Sequence, residues 1–263
     1  MKALKTYGII QDDWTVYESE ICGIVCALDY PHQTPLAGRI NELTQSYFNQ
    51  WHFVIRTYEK IYDLLHELNG TQDKAKVGAI ISEYDLHSIE KEKEFRDYAY
   101  LLIISMKTFL DLFASLIEIS VTKAVDAEHT MTDFNQIRRF LKKQNLQHLA
   151  DLIDKYWTYN WIVLLTDMRN KLVHRGYSIK PNFGFTKNEE VNYTIYKGTD
   201  MYTNVIKLQI GQFFNSFMYD FPKMEREVSE LLKRFNQPSE FSLQVSYRYS
   251  GWITEYNVKE ITF

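Results

Sequence analysis

The residues that punctuate a polypeptide are scarce: 263 positions hold only 10 Gly and 5 Pro. Sandwiches and barrels need turn residues at short intervals, so this scarcity, with long periodic stretches, predicts a mainly helical protein. Cysteine is rarer still, limited to Cys22 and Cys26. A C-x-x-x-C pair without neighbouring Cys or His makes a poor zinc site, and a chain this long needs no disulfide to hold it. The pair reads as two buried thiols in a reducing compartment. Positive charge is also in short supply, since 30 Lys and Arg against 34 Asp and Glu leave a net charge of −4. A protein that grips nucleic acid through its bulk field would be basic, so any such contact must use a local patch. There is no Gly-rich phosphate loop, no G-x-S-x-G, no H-E-x-x-H and no cluster of Cys and His at metal-ligand spacing. No metal and no cofactor are expected. The N-terminal "MKALKTYGIIQDDW" lacks the apolar core of a signal peptide, and the most apolar run, Tyr98 to Val121, is broken by Lys107, Asp111 and Glu118. That run reads as a buried helix rather than a membrane span, which makes the cytoplasm the expected location.

What is present is helical periodicity. Residues 1–37 are mixed, with "GIVCAL" readable as a strand or a short helix and Pro31 and Pro35 marking a turn. From Arg39 to Leu68 the apolar residues advance in steps of three and four, and Asn69-Gly70 should close that helix before a polar linker. Residues 88–124 predict one long helix with a charged, exposed start and a body apolar nearly all round, the mark of a central bundle helix. Lys107 and Asp111 lie four apart on it and suit a local pair. Two short helices follow, "FNQIRRFLKKQ" and "LQHLADLIDKYW", after a cap at Thr132 or Asp133. The first carries a basic ridge, Arg138 with Lys142 and Arg139 with Lys143, which reads as a solvated face or as a second candidate for phosphate contact. Val205 to Phe235 is again helical, with Pro222 expected to kink or divide it. The stretches after Gly176 and after Phe241 alternate apolar and polar, predicting two β-hairpins.

The stretch with chemistry is "NWIVLLTDMRNKLVHRGYSI", residues 160–179. Trp161, Leu165, Met168 and Leu172 recur at helical spacing and form a core stripe. With Arg169 as the zero of a wheel at about 100° per residue, the stripe lies between about 260° and 320°, Asn170 near about 100° and His174 near about 140°. The polar trio therefore lies opposite the core, where Ile162, Val163 and Val173 interleave with it. A helix apolar on two sides is expected to be covered by something else there.

Arg169, Asn170 and His174 form an Arg, a polar residue and a His with four residues between Arg and His, near the end of a helix. This pattern resembles the hallmark of the HEPN superfamily, the higher eukaryotes and prokaryotes nucleotide-binding domains. The resemblance covers roughly residues 85–236 and rests on the motif together with the long apolar helix and two short helices before it. It implies a metal-independent endoribonuclease that cleaves RNA through its own 2′-OH in a cleft shared by two copies, acting as a toxin or in phage defence, with an antitoxin among its partners. On that reading His174 is the proton carrier, Arg169 the phosphate ligand, Asn170 a positioning group, and Lys171 and Arg175 supply RNA-binding charge. The chemistry agrees with the residue types: an imidazole titrates near neutrality, and a guanidinium stays charged with planar donors. A second proton carrier would come from the partner copy, through the face of helix 161–175. Where some family members carry Tyr two residues after the His, this chain has Gly176, with Tyr177 one further on.

The residues alone also fit an inert bundle in which Arg169 and His174 serve the helix end, and the family includes non-catalytic dimerisation and nucleotide- or RNA-binding modules. The expected organisation is an N-terminal segment, 1–84, with one long helix; a HEPN-like helical bundle, 85–236; and a C-terminal β-hairpin tail, 237–263.

Overall fold

A computed structural model describes residues 9–11, 14–28, 35–75, 81–122, 133–175, 178–182, 192–196, 206–208, 210–236, 242–249 and 254–261. Helices dominate. In chain order the elements are β1 (Ile9–Gln11), β2 (Trp14–Ser19), α1 (Glu20–Ala27), α2 (Pro35–Ala75), α3 (Ile81–Thr122), α4 (Phe134–Lys143), α5 (Gln147–Trp157), α6 (Asn160–Arg175), β3 (Ser178–Asn182), β4 (Asn192–Tyr196), β5 (Ile206–Leu208), α7 (Ile210–Asn236), β6 (Ser242–Tyr249) and β7 (Thr254–Ile261).

The chain forms two compact units, one of residues 1–51, 108–162 and 217–263, the other of residues 52–107 and 163–216. Helices α2, α3, α6 and α7 contribute to both. The interior of the first unit is aromatic. Phe109 stacks on Tyr47 at 4.6 Å between centroids and meets Phe221 edge-on at 4.7 Å, while Trp161 meets Phe217 edge-on at 5.3 Å. Such offset and edge-to-face pairs are the favoured arrangements of ring quadrupoles. In the second unit Tyr58 lies flat on Phe214, with centroids 3.8 Å apart.

Of the two readings of "GIVCAL", strand or short helix, the helix is the one formed, and Ser19 caps α1 by accepting the Cys22 N–H at 3.3 Å; Cys22 is buried and Cys26 half-buried, both as free thiols. Several other local expectations are corrected. Pro35 opens α2 rather than preventing it, because a proline in the first turn has no N–H to lose from the helical ladder. The same helix runs through Asn69-Gly70 to Ala75. A helical Gly costs only about 1 kcal/mol relative to Ala, and no proline follows to enforce a stop. α3 begins at Ile81, earlier than expected, and its charged start is tied by Lys91 to Glu67 and by Glu94 to Lys60. Residues 206–208 form a strand paired with β4, so the last long helix begins at Ile210 instead of Val205. Pro222 sits inside α7 without dividing it. The segment Lys93–Thr122 is long and apolar enough to cross a membrane, and 72% of its apolar window is buried. That burial is what a core helix requires.

Among the described residues the strands form two sheets. β1-β2-β6-β7 pair in that order, all antiparallel, with Tyr17 opposite Tyr247; β3-β4-β5 form a second antiparallel set.

The α4–α5 corner is fixed by its caps. Asp133 accepts the Asn135 N–H at 2.9 Å, and Asp111 of α3 accepts the Phe134 N–H at 2.8 Å. At the other end Asn145 adopts φ 60°, the left-handed conformation that Asn tolerates, and the Leu146 N–H reaches the Leu141 carbonyl at 3.0 Å. These bonds stop α4 and turn the chain sharply into α5.

Candidate functional site

Helix α6 starts after a turn in which Thr158 donates to the Lys155 carbonyl and the Ile162 N–H to the Tyr159 carbonyl. Trp161, Leu165, Met168 and Leu172 are all buried, so the apolar stripe holds the helix as its spacing predicts. Val163 is 48% exposed, Val173 is 42% exposed, and Asn170 is exposed with them. Arg169 is half-buried at the edge of this strip, and its Nη1 donates to Asn170 Oδ1 at 3.3 Å. Ile162 is a correction: it is fully buried and belongs to the interior. Its wheel position, near about 20°, is beside Arg169, but it stands in the first turn, next to Trp161, where both sides of the helix are covered. The outer strip is therefore narrower than the pattern predicts: of the three interleaved apolar residues, only Val163 and Val173 stay exposed beside Asn170.

The backbone of α6 continues to Arg175, which places His174 in its last turn. There the aligned peptide dipoles favour a cation. The side chains of Lys171, His174 and Arg175 lie outside the described residues, as does Gly176. The structure thus brings Arg169 and Asn170 together and sets His174 one turn further along the same helix.

One polar cluster escaped the sequence reading. Lys155 Nζ pairs with Glu227 Oε2 at 3.1 Å and lies 5.0 Å above the Tyr156 ring. Burial opposes the Glu227 charge, but Lys155 and its other polar neighbours outweigh it and hold the carboxyl below its ordinary range. Burial, and then the adjacent Glu227, push the Tyr156 phenol well upward. Asp220, about two turns earlier on the same face of α7, is raised mainly by burial. Residues so far apart in sequence carry no spacing signal that would link them. Among the described residues no group of three or more His, Cys, Asp or Glu is placed to hold a metal ion.

The basic ridge of α4 is partly neutralised. Arg138 Nη1 lies 2.8 Å from Asp154 Oδ1, and Lys142 Nζ lies 3.4 Å from Asp154 Oδ2. Arg139 and Lys143 remain exposed.

No family model, no curated protein and no solved structure matches this chain.

Proposed function

We propose that this protein is a HEPN-type endoribonuclease, a helical bundle with β-hairpin appendages that cleaves RNA without a metal in a site built by two copies. The observation that carries the reading is the outer strip of α6, where two exposed valines flank Asn170 and the Arg169–Asn170 pair one turn before His174. Apolar side chains exposed at this level beside a paired arginine suit a self-complementary contact, in which each copy covers the other's strip.

In that site one His174 takes the proton from the 2′-OH as its oxygen attacks the adjacent phosphorus. The P–O5′ bond breaks, and the His174 of the second copy returns a proton to the departing 5′ oxygen. The products are a 2′,3′-cyclic phosphate and a 5′-hydroxyl, so no water is consumed and no electrons are transferred. Arg169 faces the negative charge that builds on the phosphoryl oxygens. Its contact with Asn170 keeps the guanidinium along the helix surface, and Lys171 and Arg175 add positive charge to this stretch of an otherwise acidic chain. A proton carrier is worth about 10²–10⁴ in rate, which sets the size of the expected loss. Cytoplasmic residence, an antitoxin partner and a role in toxin or phage-defence systems belong to the same reading.

The test is cleavage of single-stranded RNA in EDTA by the wild type, Arg169→Ala and His174→Ala. Both variants should lose cleavage, His174→Ala by about 10²-fold or more. Activity that survives either substitution sinks the site assignment. A wild-type protein that binds RNA and cleaves none is a binding module instead.

A further inference from the structure

Between the first turns of α4 and the last turns of α5 lies a cleft of about 90 Å³. Its floor is apolar, made by the buried Phe134 and Ile153. Its wall is Trp157, only half-buried and stacked on Phe134 with centroids 5.6 Å and planes 28° apart. An indole braced on one side and open on another is a stacking platform already held in place.

The rim is cationic. Arg138 is fixed by Asp154, and the same carboxylate also faces Lys142, so one acid stands against two cations. Arg139 lines the cleft, is exposed, and takes part in no ion pair among the described residues. The amide of Asn135 is oriented by its Nδ2, which donates to Asp133 Oδ2 at 3.2 Å. Its Oδ1 is shielded from solvent and accepts no hydrogen bond. The caps at Asp133 and Asp111 already occupy the first N–H groups of α4. The attraction for an anion therefore comes from the arginines and not from the helix end.

We propose that this cleft is an accessory site for one nucleotide of single-stranded RNA, with its phosphate on Arg139 and its base stacked against Trp157. The inference rests on the RNA reading of the α6 site, to which it adds a place where the substrate is held. A ring to stack on and an uncommitted guanidinium are the two elements of sequence-tolerant single-strand binding. Bases inside a duplex could not reach the indole, and an acidic peptide would use the guanidinium but leave the ring idle.

The experiment uses the full chain and a fluorescein-labelled, single-stranded 2′-O-methyl RNA, which has no free 2′-OH and cannot be cleaved. Anisotropy titrations should show Trp157→Leu weakening binding on the order of tenfold. Arg139→Ala should lower the dependence of log affinity on log salt by about one phosphate contact. Arg139 is exposed, so its replacement keeps the test sound if the Trp157 variant fails to fold. Wild-type affinity and salt slope in Arg139→Ala overturn the proposal, as does displacement of the RNA by an oligoglutamate as readily as by unlabelled RNA. A chain that binds through these residues but cuts nothing defeats only the nuclease reading. One that cuts RNA yet binds normally in both variants defeats only the cleft.

Discussion

The interior around Phe109 and the outer strip of α6 both carry apolar side chains, but they treat them in opposite ways. Phe109, Phe217 and Phe221 have essentially no exposed surface, and each ring is braced by others at 4.6 to 6.0 Å. Val163 and Val173 leave nearly half their surface in water. Burial rather than residue type converts an apolar side chain into stability, at roughly 25 cal/mol per Å² removed from water. The interior has used that gain within one chain. On the strip it is still to be made, and a second copy is the occupant that the proposed function assigns.

The contrast is broken most severely from the inside. Phe221→Ala should cost about 3–5 kcal/mol, since the neighbouring rings cannot fully collapse into the space left. Urea unfolding followed by circular dichroism measures this, and a loss below about 1 kcal/mol would mean that the interior gives way easily. Next comes the polar contact buried in the same unit, where Ser19 donates to Glu225 and both residues are less than 5% exposed. Glu225→Ala should cost about 1–3 kcal/mol by leaving a shielded hydroxyl without its acceptor. The same loss loosens the cap of α1, visible as faster amide exchange at Cys22.

A pH experiment probes the other unit. Burial, and then the neighbouring Arg56, push the His52 pKa from 6.5 down to about 4. The unfolded state therefore binds more protons between those values, and stability falls as pH drops from about 6.5 to 4. His52→Gln should flatten the fall in Tm over that window, by a modest amount because the ring is partly solvated. The smallest effect belongs to the strip. Val173→Ser should change unfolding by no more than about 0.5 kcal/mol at low protein concentration. If a second copy covers the strip, the same substitution shifts the monomer–dimer balance toward monomer in light scattering. A large stability loss without any shift would place Val173 in the interior and remove the contrast.

Patterns within one helix were legible from sequence, and partners across the chain were not. The stripe Trp161, Leu165, Met168 and Leu172 follows from spacing and is buried throughout. Ile162 does not follow, because a wheel gives an angle but not what surrounds the first turn. Asn69-Gly70 carries a real local preference of about 1 kcal/mol, too weak to stop a helix that continues on both sides, and Pro35 is compatible with the first turn that it opens. The pairing of β2 with β6 joins residues more than 200 positions apart, and nothing in either strand names the other. The same distance hid Ser19 and Glu225. For the site, the order Arg169, Asn170, His174 was visible as a motif, whereas the Arg169–Asn170 contact needed coordinates.

The division into two units has a hereditary side. One is drawn from three separate stretches of chain and the other from two, and four helices belong in part to each. No single contiguous piece of the coding sequence specifies either unit. A recombination event that tried to transplant one would carry fragments of the other and leave severed helices behind. Moving either unit alone into another protein would cut all four shared helices, and an insertion within α2, α3, α6 or α7 falls in a helix that serves both.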